Sequence, residues 1–170
     1  MKSKIIWFTG LSGSGKTTLS KYLSKKLKNK KFRVKKIDGD LFRKKSKSVK
    51  FTKSSIIKNN LSIINQIDKI RKKYDFILVS VISPLKKTRE FARKKFNKYY
   101  YEVHTKCNLK ELISRDTKNL YAKAKKNIIK NLIGYNSNIN YESTNYKRII
   151  VNTAKETVKE SSNKIIKKIL

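Results

Sequence analysis

One short motif limits the fold of this chain more than any other feature of its sequence. Residues 10–17 read Gly-Leu-Ser-Gly-Ser-Gly-Lys-Thr and fit the pattern G-x-x-x-x-G-K-[ST]. An apolar run precedes the motif and a helical pattern follows it, which is the context in which such a loop binds phosphates. Glycines let backbone N–H groups converge on a phosphate beside the positive end of a helix. The predicted nucleotide-binding residues of this loop are Gly10, Leu11, Ser12, Gly13, Ser14, Gly15, Lys16, Thr17 and Thr18.

Two side chains of the motif are expected to take part in chemistry. Lys16 should reach the β- and γ-phosphates of a nucleoside triphosphate, and the Thr17 hydroxyl should ligate Mg²⁺. We therefore expect ATP and Mg²⁺ as cofactors and Lys16 as a catalytic residue. The alternative is a glycine-rich turn that binds nothing.

Strand and helix patterns alternate along the chain. Short apolar or alternating runs predict strands at 4–9, 32–37, 75–82, 99–105 and 148–152. Helical periodicity predicts helices at 16–28, 54–73, 86–96, 108–116 and 155–170. This alternation is typical of right-handed βαβ units, so we expect a three-layer α/β fold with a parallel sheet of about five strands and helices on both faces.

Two segments of this pattern have particular interpretations. Residues 75–82 are the most apolar run and are the best candidate for the central strand of the sheet. Residues 117–147 are rich in lysine and asparagine and have weak periodicity, which suits a mobile lid better than a core element.

The chain is strongly basic, with 45 Lys and Arg against 11 Asp and Glu and a formal net charge of +34. Clustered cations bind nucleic acids and anionic membranes by releasing counterions. Only seven of the 45 basic residues are Arg, however, and the lysines are spread over the whole sequence. We interpret the charge as a biased composition of the solvated surface together with an anionic substrate, and a nucleic-acid role stays open.

The remaining composition indicates a protein of a reducing compartment. No apolar run reaches the length of a membrane span, and the N-terminus has no apolar core of a secretion signal. A lone cysteine, Cys107, excludes an internal disulfide. We expect a cytoplasmic protein with one domain over residues 1–170, with no membrane partner and no specific nucleic acid, and a homodimer is left open.

Two acidic residues follow the second predicted strand. Asp38 and Asp40 flank Gly39, and Arg43 lies three residues beyond Asp40. Ligands of parallel α/β folds bind at the carboxyl ends of strands, and a small-molecule kinase needs a carboxylate near the acceptor hydroxyl. Asp38 and Asp40 are therefore predicted to be catalytic, and the alternative is a polar turn with a nearby salt bridge. The guanine-specifying N-K-x-D of GTPases is absent from the sequence.

Four motifs in the right order resemble the adenylyl-sulfate kinase family, nearly end to end. Residues 8–19 (FTGLSGSGKTTL) resemble the P-loop of that family, and Asp38-Gly39-Asp40 with Arg43 resembles its D-G-D-x-x-R. Residues 82–93 (ISPLKKTREFAR) fit I-S-P-x-x-x-x-R-x-x-A-R. Residues 115–121 (RDTKNLY) resemble R-D-x-K-G-L-Y, with asparagine where the family has glycine.

The resemblance implies a P-loop kinase that transfers the γ-phosphoryl group of ATP to the 3′-hydroxyl of adenylyl sulfate, a step of sulfate assimilation. Its small-molecule partner would be a nucleotide. Asp40 would accept the hydroxyl proton or hold Mg²⁺ through water, with Asp38 in support. Thr17 and Asp40 would form the metal site, and Arg115 would lie along the bound ATP.

The resemblance also assigns an acceptor site. Its residues would be Arg43, Phe51, Asn59, Ile82, Ser83, Lys118 and Leu120. Arg43 would clamp the phosphosulfate as a bidentate fork, and Phe51 would stack on the adenine. Ser83 occupies a position that is described in the family as a phosphoserine intermediate, so it is also a catalytic candidate. We favour direct in-line transfer, with Ser83 lining the acceptor pocket.

Three departures from the family pattern fall on the acceptor side. Ile56 stands where the family has a second phosphosulfate-binding arginine, Leu132 stands where it has a lid phenylalanine, and the loop over residues 43–51 is one residue shorter. A kinase with another acceptor would show such changes, and so would a sequence in which Lys50 or Lys53 compensates. The alternatives are therefore a kinase for another small alcohol, such as a sugar or sugar nucleotide, and a non-catalytic basic module that binds nucleic acid.

Overall fold

The computed structural model of the protein describes residues 3–45 and 52–170, and its strands form a single parallel sheet. The strands are Lys4–Thr9 (β1), Val34–Asp38 (β2), Phe76–Ser80 (β3), Tyr100–Lys106 (β4) and Ile149–Asn152 (β5). They lie side by side in the order β2-β3-β1-β4-β5, and every neighbouring pair is parallel. The predicted parallel sheet of about five strands is confirmed.

The helices connect the strands and cover both faces of the sheet. They are Lys16–Asn29 (α1), Gly39–Lys45 (α2), Lys53–Ile70 (α3), Lys86–Phe96 (α4), Leu109–Arg115 (α5), Leu120–Lys125 (α6) and Val158–Ile169 (α7). Short 3-10 turns follow α3 at Arg71–Lys73 and α4 at Asn97–Tyr99. None of the helices in the described ranges combines the length and the hydropathy that a bilayer crossing requires.

Two apolar layers hold the helices on the sheet, because successive side chains of a strand point to opposite faces. On one face, Ile5 and Trp7 of β1 belong to a buried cluster with residues of α3 and α4. On the other face, Ile6 and Phe8 belong to a cluster with residues of α1 and α7. All four β1 side chains are fully buried, and each contributes roughly 1.5–3 kcal/mol to folding. The expected three-layer architecture is confirmed.

The prediction that residues 75–82 form the central strand is wrong. β1 occupies the middle of the sheet, and β3 lies between β1 and β2. Both strands are buried on both faces, so their apolar composition is the same and cannot tell the middle position from its neighbour.

The predicted lid, residues 117–147, contains α6 and buries several of its side chains. Tyr121 donates a hydrogen bond to the carbonyl of Ser12 at 2.9 Å, which ties the segment to the phosphate-binding loop. Gly134 has a φ of 82°, and a Cβ at this position would come within 2.6 Å of the Leu11 side chain. The segment therefore packs closely over the loop, and its mobility stays a prediction.

Candidate active site

The phosphate-binding loop connects β1 to α1 at the carboxyl edge of the sheet. Its first glycine, Gly10, has a φ of 141°, and a Cβ there would lie 2.5 Å from the Thr105 hydroxyl oxygen of β4. Gly15 precedes α1, whose first turn has no acidic residue and no side-chain cap. The N–H groups at this helix end are therefore available to an anion, as the motif predicts.

The ammonium group of Lys16 folds back against this loop. It donates to the carbonyl oxygens of Gly10 at 2.9 Å and Leu11 at 2.6 Å. Burial lowers the pKa of Lys16 from 10.5 to about 8, while the charge of Asp40 raises it and that of Lys118 lowers it further. Phosphate groups arriving at the loop would stabilise the charged form of this lysine.

Asp38, the last residue of β2, links the loop to the next helix. Its Oδ2 accepts a hydrogen bond from the Thr17 hydroxyl at 3.1 Å. Its Oδ1 accepts from the backbone N–H groups of Asp40 at 3.0 Å and Leu41 at 3.4 Å. The two bonds to Oδ1 form a polar turn at the start of α2. The polar turn that was predicted as the alternative to a catalytic role is therefore present. Asp38 therefore holds Thr17 and the start of α2 in place.

Asp40 reaches across the cleft to the base of the lid segment. Its carboxylate forms an ion pair with Lys118, with 2.7 Å between Oδ2 and Nζ. Burial alone would raise the pKa of Asp40, but the hydrogen bond and charge of Lys118 and the charges of Lys16 and Arg43 outweigh it and hold that pKa below its ordinary value. The carboxylate is ionised at neutral pH, so it can accept a hydrogen bond from a hydroxyl or from a metal-bound water.

These groups face one cleft with a volume of about 260 Å³. The predicted site residues that line it are Ser12, Gly13, Gly15, Lys16, Thr17, Thr18, Asp38, Asp40, Ile82, Arg115 and Lys118. Gly10, Leu11 and Ser14 are not among the lining residues, and the Ser14 hydroxyl bonds Thr105 at 2.7 Å on the buried side. A contact of these three residues with phosphate would therefore come from the main chain.

The cleft is also lined by residues that the sequence did not predict. Arg115 contacts one of them, because its Nη2 donates to the Thr153 carbonyl at 2.7 Å. The additional lining residues include Ser80, Val81, Thr153, Glu156, Val158 and Ser161. The last four follow β5, so the rule that ligands bind beyond the carboxyl ends of strands is the signal that could have found them.

A second, smaller pocket of about 10 Å³ shares Asp40, Val81 and Ile82 with the cleft. It brings together two more residues of the predicted acceptor site, Arg43 and Ser83. Ile56 lines the same pocket, so the position where the family pattern has an arginine does face the acceptor side. The two pockets meet at Asp40.

Several residues of the predicted acceptor site do not line either pocket. Asn59 is buried on α3 without lining either pocket, and within the described chain neither of its amide atoms has a hydrogen-bond partner. Leu120 and Leu132 belong to the apolar cluster beneath the lid segment, and Ile133 lines the second pocket in place of Leu132. Phe51 lies outside the described residues.

A match to a known family extends over most of the chain, since the family model described as adenylylsulphate kinase covers residues 2–152. The chain belongs to the adenylylsulphate kinase family. A probable adenylyl-sulfate kinase of Archaeoglobus fulgidus is 36% identical over 154 residues, which are 90% of this chain and 97% of that protein. A cytidine diphosphoramidate kinase of Campylobacter jejuni is 33% identical over 165 residues, which are 97% of this chain and 95% of that protein.

The same family appears among solved structures. A structure of the Mycobacterium tuberculosis APS kinase CysC in complex with AMPPNP and APS superposes with a TM-score of 0.86, at 27% identity, over 98% of this chain and 96% of that chain. Membership of the adenylylsulphate kinase family makes this protein an ATP-dependent kinase, and the predictions of an enzyme and of a P-loop kinase fold are confirmed.

The oxygen atoms around Thr17 are suitable ligands for the predicted Mg²⁺ ion. The Thr17 hydroxyl lies against the Asp38 carboxylate, and Asp40 lines the same cleft. Within the described residues, no cluster of three or more His, Cys, Asp or Glu side chains could hold a metal by itself. Mg²⁺ is commonly held by one or two protein oxygens together with substrate phosphates, so these residues suit a nucleotide-bound ion.

A buried ion pair positions Ser83 in the wall of the second pocket. Arg89 is fully buried, pairs with Glu102 at 3.5 Å, and donates to the carbonyl of Ser83. Ser83 has a φ of 45°, which is uncommon for serine, and its hydroxyl lies 3.4 Å from that of Thr88. Ser83 as a whole is 1% exposed, so its side chain is poorly placed to receive a phosphoryl group, which favours direct transfer.

Proposed function

We propose that this kinase transfers the γ-phosphoryl group of ATP to the 3′-hydroxyl of adenylyl sulfate. The observation that carries the proposal is the position of Asp40, which lines both the cleft with Lys16 and Thr17 and the pocket with Arg43. In-line transfer requires such a carboxylate between a phosphate site and an acceptor site. Relatives named adenylyl-sulfate kinase support the choice of acceptor.

Each residue has a defined part in this reaction. The loop N–H groups and Lys16 would bind the β- and γ-phosphates and neutralise the charge that spreads over the γ-phosphoryl oxygens. Thr17, oriented by Asp38, would hold Mg²⁺, which when bound supplies positive charge between these phosphates. Asp40 would accept a hydrogen bond from the acceptor hydroxyl and take its proton as the new P–O bond forms, while the bond between the γ-phosphorus and the β,γ-bridging oxygen breaks and ADP leaves.

Entry of the acceptor would change the contacts of Asp40. In the structure its carboxylate pairs with Lys118, whose side chain is 53% exposed and lies in the predicted lid segment. An acceptor hydroxyl would take over one carboxylate oxygen, and the released ammonium group and Arg43 would face the anionic end of the acceptor. A guanidinium binds such an anion with two parallel hydrogen bonds.

A cytidine nucleotide is a second candidate acceptor for one specific reason. Ile56 lines the second pocket at the position where the family pattern has an arginine, so this chain offers one cation fewer to a phosphosulfate. A relative of comparable similarity is named cytidine diphosphoramidate kinase, so this family includes a kinase named for another nucleotide.

The first prediction separates these acceptors. Wild type should release ADP in the presence of adenylyl sulfate. Ile56→Arg should lower the KM for adenylyl sulfate by about tenfold, because it adds a second guanidinium group that can donate paired hydrogen bonds to the phosphosulfate. The KM for ATP should not change. Steady-state ADP release with adenylyl sulfate, cytidine diphosphoramidate and a simple sugar as acceptors measures both effects.

Ser62→Arg is the matched control, because Ser62 lies on the exposed face of the same helix. It adds the same charge to α3 and should leave every KM unchanged. Turnover of cytidine diphosphoramidate without any turnover of adenylyl sulfate, in wild type and in Ile56→Arg, would replace the named acceptor and leave the kinase intact.

The second prediction uses the titration of Lys16. Because the pKa of Lys16 is about 8 in the free protein and bound polyphosphate would raise it, binding takes up a proton above this pH. The affinity for MgATP should therefore fall as the pH rises above about 8, by up to about tenfold per pH unit. Calorimetry between pH 7 and 9.5 in two buffers of different ionisation heat measures both the affinity and the proton uptake. An affinity that stays constant over this range, with no proton uptake, would contradict the lowered pKa of Lys16 in the free protein.

A further inference from the structure

Asn60 on α3 is a buried polar side chain with an unused hydrogen-bonding atom. Its relative exposure is 1%, and within the described chain its Oδ1 has no hydrogen-bond partner. Buried polar atoms are almost always paired, and an unpaired one destabilises the folded state. A site that keeps such an atom in the free protein is therefore a candidate for pairing with a ligand.

The unpaired oxygen belongs to the acceptor end of the site. Asn60 lines the small pocket together with Asp40, Arg43 and Ser83. Ile56 precedes it by four residues, so both side chains lie on the same face of α3. The pocket volume of about 10 Å³ is close to the space that one water-sized polar group occupies.

Part of the pocket wall beside Asn60 is apolar and offers its Oδ1 no donor. Ile56 and Ile133 line the pocket and belong to one buried apolar cluster, which cannot donate a hydrogen bond. A carboxamide oxygen accepts hydrogen bonds and does not donate them. Its missing partner must therefore be an N–H or O–H group.

We propose that Asn60 is a specificity-determining residue whose Oδ1 accepts a hydrogen bond from the nucleoside part of the acceptor. The inference rests on the proposed function, because it takes the acceptor to be a nucleotide. The sulfate and phosphate oxygens of adenylyl sulfate are acceptors, whereas its ribose hydroxyls and its adenine amino group are donors. Asn60 therefore binds the ribose or the base. It does not bind the phosphosulfate, so it does not compensate for the arginine that is absent at position 56.

Asn60→Leu tests the proposal through the melting temperature and the KM for adenylyl sulfate. If Asn60 had only a structural role, its loss would lower the melting temperature and leave the KM unchanged. The melting temperature should stay the same or rise, because the variant removes an unpaired buried oxygen. The KM for adenylyl sulfate should rise by about tenfold or more, because a donor of the acceptor is left unpaired. The KM for ATP should stay within about threefold, since Asn60 does not line the nucleotide cleft.

Two further variants complete the experiment. Asn65→Leu, at an exposed position of the same helix, should change neither quantity. Asn60→Ala removes the carboxamide without adding volume, so overpacking by leucine would lower the melting temperature of the leucine variant alone. A lower melting temperature in both Asn60 variants, or an unchanged KM for the acceptor, overturns the proposal.

The outcome can be told apart from a failure of the proposed function. If wild type does not turn over adenylyl sulfate, the KM comparison is made with cytidine diphosphoramidate under the same criteria. If wild type turns over neither nucleotide, the proposed function fails and the assignment of Asn60 to a nucleotide acceptor fails with it, whereas the melting temperatures still show whether the oxygen is unpaired.

Discussion

Lys16→Ala should lower kcat by about 10³-fold or more, because the lysine supplies charge to the transferred phosphoryl group from within the phosphate-binding loop. In the free protein its ammonium group donates to the carbonyls of Gly10 and Leu11, and none of the ion pairs among the described residues involves it. Its removal should therefore leave the fold intact, and the melting temperature should stay within about 3 °C of wild type. Single-turnover phosphoryl transfer and thermal unfolding measure the two quantities.

Lys25→Ala is the matched control for Lys16→Ala, since Lys25 is exposed on the same helix. It removes one of many lysines from α1 without touching the loop, so its kcat should equal that of wild type. Undiminished turnover in Lys16→Ala would show that the loop does not bind phosphates, and the same loss in both variants would show that net charge matters more than position.

The local parts of the fold and of the site could be predicted because short motifs specify them. Residues 10–17 require a strand before them and a helix after them, and the structure has both. Asp38 and Asp40 follow a strand end, and the structure places both in the cleft beside Lys16. In each case the residues that matter are neighbours in sequence, so spacing alone describes their arrangement.

The order of strands could not be predicted, because it depends on contacts between distant segments. β1 and β3 are equally apolar and equally buried, and only the path of the chain puts β1 in the middle. The buried side chains of residues 117–147 could not be predicted for a related reason. This segment buries Ile133 and Ile139 from irregular backbone, where neither a 3.6-residue nor a 2-residue period marks the inner face.

The part of the cleft that follows β5 and the burial of Asn60 were not predicted, because both depend on contacts with segments that are distant in sequence. Thr153 and Glu156 line the cleft more than 130 residues after the loop, and no local motif marks them. Asn60 stands in a helical pattern where asparagine would normally be solvated. Its burial follows from the packing of Ile133 and Val81 around the same pocket, which a single sequence does not reveal.

Asp40→Asn should lower kcat by about 10²-fold or more with a modest change in the KM for ATP, as expected for a lost base or metal contact. The substitution keeps the shape of the side chain and its backbone turn, because it is Asp38 that accepts the hydrogen bonds at the start of α2. What it removes is the negative charge between the phosphate cleft and the acceptor pocket. Since that carboxylate has a lowered pKa, the loss should be the same across neutral pH.

Asp68→Asn provides the matched control for Asp40→Asn, because Asp68 also forms ion pairs, with Arg71 at 3.1 Å and Lys95 at 3.2 Å, on a helix face outside both pockets. Loss of its charge should leave kcat unchanged. Steady-state rates at saturating ATP and acceptor compare the two variants directly. An Asp40→Asn enzyme within about threefold of wild type would reduce Asp38-Gly39-Asp40 to an ordinary polar turn. A large loss in Asp40→Asn alone would place the proton transfer or the metal contact at Asp40, because among the described residues it is the one carboxylate that lines both the phosphate site and the acceptor site.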